Sequence, residues 1–180
     1  MRVLPLSLLL TLLFLSSASF LCHGQRMAAG ILLSPKEVGV NMAFGSKDQN
    51  SFALVGVYAD MQGLIDAKAQ IPGVSVRFSR ENWISWWEIA SDTRLGLYAG
   101  IGIMAGYVRD LDNIYGWTIA LSGNTGTGLF FKESRLSISA GFSIDIGLNV
   151  RDTGNKASVR FYRSGIVRGL MPNLTLMWGF

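Results

Sequence analysis

The chain has 180 residues, of which 49% are apolar, with 16 Lys and Arg against 12 Asp and Glu. Its one Cys and one His both fall within the first 24 residues, so the remainder lacks the side chains of thiol, imidazole and most zinc chemistry. The mild basic excess accompanies no basic block or aromatic-basic module, which excludes the usual nucleic-acid signatures, and no second apolar run reaches helical membrane-spanning length.

The opening stretch MRVLPLSLLLTLLFLSSASFLCHG reads as a secretory signal peptide over 1–24. Arg2 supplies the positive region, Val3 to Leu15 the apolar region, and Ser16 to Gly24 a small and polar tail. Cleavage is expected after Gly24 or earlier in Ser17-Ala18-Ser19; a lipid anchor on Cys22 is disfavoured because Ser19-Phe20-Leu21 lacks the required small residues. Residues 25–180 then form one domain.

Within it, apolar and small or polar side chains alternate with period two, the pattern of strands with two unlike faces. Val38, Val40, Met42 and Phe44 alternate with Glu37, Gly39, Asn41 and Ala43; Val74, Val76 and Phe78 oppose Ser75, Arg77 and Ser79. Further on, Leu95 to Tyr107 and Tyr115 to Ser122 behave alike, and Leu136 to Val150 gives the longest uninterrupted example. Turn chemistry is expected at Ser46–Asn50, Ser79–Asn82, Ser91–Thr93, Arg109–Asn113 and Arg151–Lys156. Met61–Ile71 and the glycine-rich Ser122–Gly128 are expected to be longer connections. Eight strands result, or ten if Thr127–Phe131 and Ser158–Arg163 are also strands.

A soluble sandwich could carry the same alternation, but the polar faces here are dominated by Ser, Gly, Thr, Ala and Asn, while charges gather in turns. Such small residues suit the crowded interior of a narrow closed barrel. Trp83, Trp86, Trp87, Tyr115 and Trp117 fall near strand ends, where a membrane barrel carries interfacial aromatics. The final strand, PNLTLMWGF, places Leu174, Leu176, Trp178 and Phe180 on one face.

That terminal pattern resembles the carboxy-terminal assembly signal of small bacterial outer-membrane β-barrels, of the compact OmpA-, OmpX- and OmpW-like and porin-like groups. The resemblance implies an all-β fold: a closed, antiparallel, up-and-down transmembrane β-barrel recognised by the barrel-assembly machinery at Leu174, Leu176, Trp178 and Phe180. It also implies outer-membrane localisation after signal-peptide cleavage, contact with membrane lipid and lipopolysaccharide, and a monomeric state. The last strand is expected to close on the first, around Glu37–Phe44. With the amino terminus in the periplasm, segments near Ser46–Asn50, Arg80–Asn82, Arg109–Asn113 and Arg151–Gly169 would face outward, the last offering Lys156, Arg160, Arg163 and Arg168 as a binding loop.

Catalysis has little support, because Ser139 and Ser143 beside Asp145 have no imidazole base, and Glu37, Asp60, Glu88 and Asp145 follow no metal-ligand spacing. Gly100, Gly102 and Gly106 lie in a strand pattern instead of a phosphate-binding turn. Asp145 is expected to pair with Arg77 in an internal polar network, since a buried carboxylate needs a partner. No cofactor and no nucleic-acid partner are expected. The functional expectation is a non-enzymatic structural, adhesion or surface-binding barrel; the alternatives are a narrow channel or carrier for a small hydrophobic solute, and a secreted soluble β-sandwich or lipocalin-like binding protein.

Overall fold

The computed structural model describes residues 26–45, 51–61, 72–109, 115–152, 157–164 and 171–179. The leader, Lys156, Arg168 and Phe180 therefore lie outside the described residues. Among the described residues nine strands follow one another: β1 (Arg26–Leu33), β2 (Glu37–Gly45), β3 (Ser51–Asp60), β4 (Gly73–Glu88), β5 (Thr93–Arg109), β6 (Tyr115–Phe131), β7 (Leu136–Asp152), β8 (Ala157–Ser164) and β9 (Met171–Gly179).

Sequential antiparallel pairing carries the sheet from β1 to β7, and β9 then joins β7 to β1, so the wall closes on itself. The ring has eight positions, the eighth shared by β8 and β9. β8 pairs with Asp145–Asp152 of β7 and β9 with Leu136–Ser143. From Ser164 opposite Asp145 to Met171 opposite Ser143, the chain spends seven steps against two on β7, an insertion within one wall position.

Alternation explains the wall directly, because each strand must show one face to the lumen and one to the outside. The outer face is apolar: Ile101 is 78% exposed, Leu121 70% and Trp117 69%. Buried inside are Ser79, Asn149, Asp60, Asn41, Arg77 and Asp145. This inverts the distribution of a protein folded in water, whose charged groups remain outside.

Three expectations are corrected. Closure runs through β1, so β9 pairs with Ala28–Leu33 and not with Glu37–Phe44. β1 was hidden because MAAGILL is apolar on both faces and shows no period. Ser122–Gly128 is not a connection; it continues β6, with Gly126 and Gly141 facing each other across the ladder where a Cβ on either would crowd the Tyr98 hydroxyl. Ser79–Asn82 is not a turn, nor Arg80–Asn82 an outward segment beyond the wall, because these residues are the middle of β4.

The two ends of the barrel differ. β1 begins and β9 finishes at one, the terminal end, which also carries the turns at 89–92 and 132–135. Arg135 there adopts φ 53°, and its carbonyl accepts from the Gly179 amide at 2.8 Å. Arg109 and Arg151 approach the opposite end, whereas β2 and β3 meet at the terminal end, so Ser46–Asn50, itself outside the described residues, joins strands on the other side from those two.

One lumen contact shows how little room remains. A Cβ on Gly56 would coincide with the Tyr58 hydroxyl, itself fixed by its bond to Asn41. Gly56→Val should therefore cost about 1–3 kcal/mol through overpacking, read as a lower urea midpoint for the barrel refolded in lipid vesicles. An unchanged midpoint would contradict the tight packing at this level.

Candidate functional site: the filled lumen and its terminal-end cavity

The middle of the lumen is organised around Arg77, delivered inward by the phase of β4. Its Nη2 donates to Asp145 Oδ2 at 2.9 Å and to Glu37 Oε2 at 3.3 Å. Ser122 Oγ donates to Asp145 Oδ1 at 2.6 Å, and the guanidinium lies 4.9 Å from the centre of the Tyr58 ring. Tyr58 in turn donates to Asn41 Oδ1 at 2.6 Å. The structure thus brings Arg77 and Asp145 together and adds Glu37, which alternation alone did not single out as a partner.

Above this hub, toward the end opposite the termini, polar contacts continue. Lys36 Nζ donates to the Tyr162 hydroxyl at 2.6 Å, and Asn149 Nδ2 donates to Thr118 Oγ1 at 2.7 Å. Arg151 Nε donates to Asn149 Oδ1 at 2.9 Å. Burial alone would pull the Lys36 ammonium down, but Tyr162, Glu37 and Asp60 around it outweigh that effect and hold it above the ordinary lysine range. Met104, Val108, Tyr58 and Tyr162 are among the fully buried side chains at these levels, so the cross-section is occupied by protein.

Below the hub the lumen opens. A cavity of about 590 Å³ reaches the terminal end, with Arg77, Asn41, Tyr58, Glu81 and Asn124 at its polar side. Glu81 Oε1 accepts from Asn124 Nδ2 at 3.1 Å and from Ser79 Oγ at 3.3 Å. An aromatic cluster lines the same space: Trp83 lies 4.4 Å from Trp86, 4.8 Å from Phe130, 5.3 Å from Tyr98 and 5.7 Å from Phe52, between ring centres.

Trp83 and Trp86 are therefore inside the barrel and not at its outer rim. A β-bulge explains it, because Trp83 pairs with Tyr98 and Ser85 with the next residue, Leu97, leaving Ile84 extra. The insertion reverses the phase of β4, so two tryptophans three positions apart both turn inward while Ile84 and Trp87 point out. The signal was present in WISWW: positions 83, 86 and 87 cannot all share one face of a regular strand.

The other anticipated residues take varied places. Trp87 and Trp117 are outward, and Tyr115 stacks on Tyr107, which itself is outward and contacts Trp117. Leu174, Leu176 and Trp178 face outward on β9. Arg151–Gly169 is not one outward loop, because Arg151 and Asp152 end β7 and Ala157–Ser164 form β8 along the wall; Arg160 is exposed on β8, and Arg163, farther down that strand, stands opposite Ile146 of β7. Ser139 lines the cavity, and among the described residues no cluster of His, Cys, Asp and Glu could hold a metal ion.

No family model matches the chain, and no curated protein matches it. Among solved structures it is similar to the N-terminal β-barrel domain of Pseudomonas aeruginosa OprF, at 13% identity over 87% of this chain and 96% of that one, with a TM-score of 0.44. It is also similar to Neisserial surface protein A (NspA), at 10% identity over the same shares, with a TM-score of 0.46. Closure of the eight-position barrel is read from its own pairings, β1 with β9 and β6 with β7.

Proposed function

We propose that this chain is a small, non-enzymatic β-barrel protein of the bacterial outer membrane, exported through a leader cleaved near Gly24 and serving envelope structure, adhesion or surface binding. The observation that carries the reading is the reversal of faces: Ile101, Leu121 and Trp117 point out while Arg77, Asp145 and Asn149 are buried. Hydrocarbon satisfies such an outer face, and the ring of β1 to β7 with β9 pairs each of those strands on both sides.

Trp87 and Trp178 toward the terminal end, and Tyr107 and Trp117 toward the other, suit the two interfaces of a bilayer. At the end opposite the termini, Arg160, with Lys156 near it in sequence, supplies positive charge for lipopolysaccharide phosphate or an acidic partner. The barrel is proposed to act as a monomer and to be inserted by the assembly machinery acting on its last strand.

The test compares boiled with unboiled protein from the membrane fraction by gel mobility in mild detergent. A heat-dependent shift is expected; an unshifted protein recovered without detergent would overturn the membrane reading in favour of a soluble β protein. The runner-up, a narrow conduit, needs a path past Arg77 and its carboxylates. Reproducible single-channel steps in a planar bilayer would replace the sealed barrel with that conduit.

A further inference from the structure

We propose that the terminal-end cavity is a binding site for a neutral amphiphile, a molecule with an apolar body and a hydroxyl head, which enters from the end of the barrel that carries the chain termini. This goes beyond a structural or surface-binding role, since the site is inside the wall and away from the opposite end.

Two unpartnered donors mark where the head would sit. Asn41 is 2% exposed and Arg77 3%, yet Asn41 Nδ2 and Arg77 Nε have no hydrogen-bond partner, and both residues line the cavity. The Tyr58 hydroxyl occupies Asn41 Oδ1, which orients the amide with its NH2 as the unused end. Two buried N–H groups without acceptors call for an oxygen from outside the protein.

The charge around them selects the kind of oxygen. Arg77 already faces the carboxylates of Glu37 and Asp145, and Glu81 adds a third on the cavity side. One guanidinium among three carboxylates repels a further anion from this floor. A hydroxyl carries no charge, accepts from Asn41 or Arg77, and has a proton to donate to Glu81.

The walls then select the body. Phe52, Leu54, Trp83, Trp86, Phe130 and Met177 surround the space between floor and opening. At about 590 Å³ the cavity falls within the range of roughly 300–1,000 Å³ usual for small-molecule sites, which combine apolar walls with a few convergent polar groups. A long-chain alcohol or a monoacylglycerol has this distribution of polarity; an acyl carboxylate does not.

The experiment uses the five tryptophans. In the barrel refolded in phosphatidylcholine vesicles, Trp87, Trp117 and Trp178 are changed to Phe, so that emission comes from Trp83 and Trp86 inside. Titration with 11-bromoundecanol should quench this emission saturably, undecanol should reverse it, and 11-bromoundecanoate should bind at least about tenfold more weakly, a difference of about 1.4 kcal/mol. Ala43→Phe, which fills the cavity from a buried wall position, should abolish the saturable component. Asn41→Leu should erase the preference for the alcohol over 1-bromoundecane.

Quenching that rises linearly and equally for all three probes would show bilayer partitioning only and overturn the proposal. So would tighter binding of the carboxylate, which would assign recognition to Arg94, Lys132 and Arg135 at the opening, or saturable quenching that survives Ala43→Phe in a barrel retaining its heat-dependent gel shift.

Discussion

Replacing Arg77 with Met should lower the unfolding free energy of the barrel by about 3–5 kcal/mol, the usual cost of removing one partner from a buried ion pair. The reason is what the substitution leaves behind. Asp145 and Glu37 are each about 5% exposed and share the same guanidinium, so loss of Arg77 strands two carboxylates in the lumen. Ser122 still donates to Asp145, but a hydroxyl offsets only part of a buried charge.

The same reasoning predicts rescue. Neutralising the carboxylates as well, in Arg77→Met with Glu37→Gln and Asp145→Asn, should recover most of the loss, because burying an ion pair gives little net stability over groups without charge. Urea unfolding in lipid vesicles measures both variants. If the single substitution is neutral, Arg77 does not hold the lumen together; if the triple variant remains as unstable as the single one, lost packing against Tyr58 explains the effect and charge does not.

Ile101→Lys should cost about 2–4 kcal/mol, the penalty for a lysine on the lipid face near the bilayer midplane. Ile101 lies midway along β5 between Leu95 and Tyr107 and is 78% exposed, so no protein contact accounts for such a loss. On a soluble protein, substitution at so exposed a position usually changes stability by less than about 0.5 kcal/mol. The comparison is therefore a test of the solvent: a near-zero effect on the vesicle-refolded protein would mean that this face does not meet hydrocarbon. Thr125→Lys, on the outer face of β6 nearer the terminal end, should cost less, since the penalty falls toward the interface.

Much of this architecture was legible along the chain, for a specific reason. A strand's two faces alternate residue by residue, so Leu136 to Val150 announced both its conformation and its sidedness without any partner. The inward placement of Arg77 and Asp145 followed from the same count. The cavity was not legible, because its walls come from β1, β2, β3, β4, β5, β6, β7 and β9, and no short stretch contains more than a fragment of it.

Alternating small and apolar side chains, by themselves, determined an all-β chain whose strands each have one apolar face and one small or polar face, since that property is local to each strand. Tertiary structure decided the rest. β1 is a strand because β2 and β9 both pair with it, although its own residues have no period. One extra residue at Ile84 turned Trp86 into the lumen, and an insertion between Ser164 and Met171 split a single wall position between β8 and β9. Register, phase reversal and closure depend on which residue stands across the ladder, and that is settled only when the backbone hydrogen bonds of the whole ring are satisfied together.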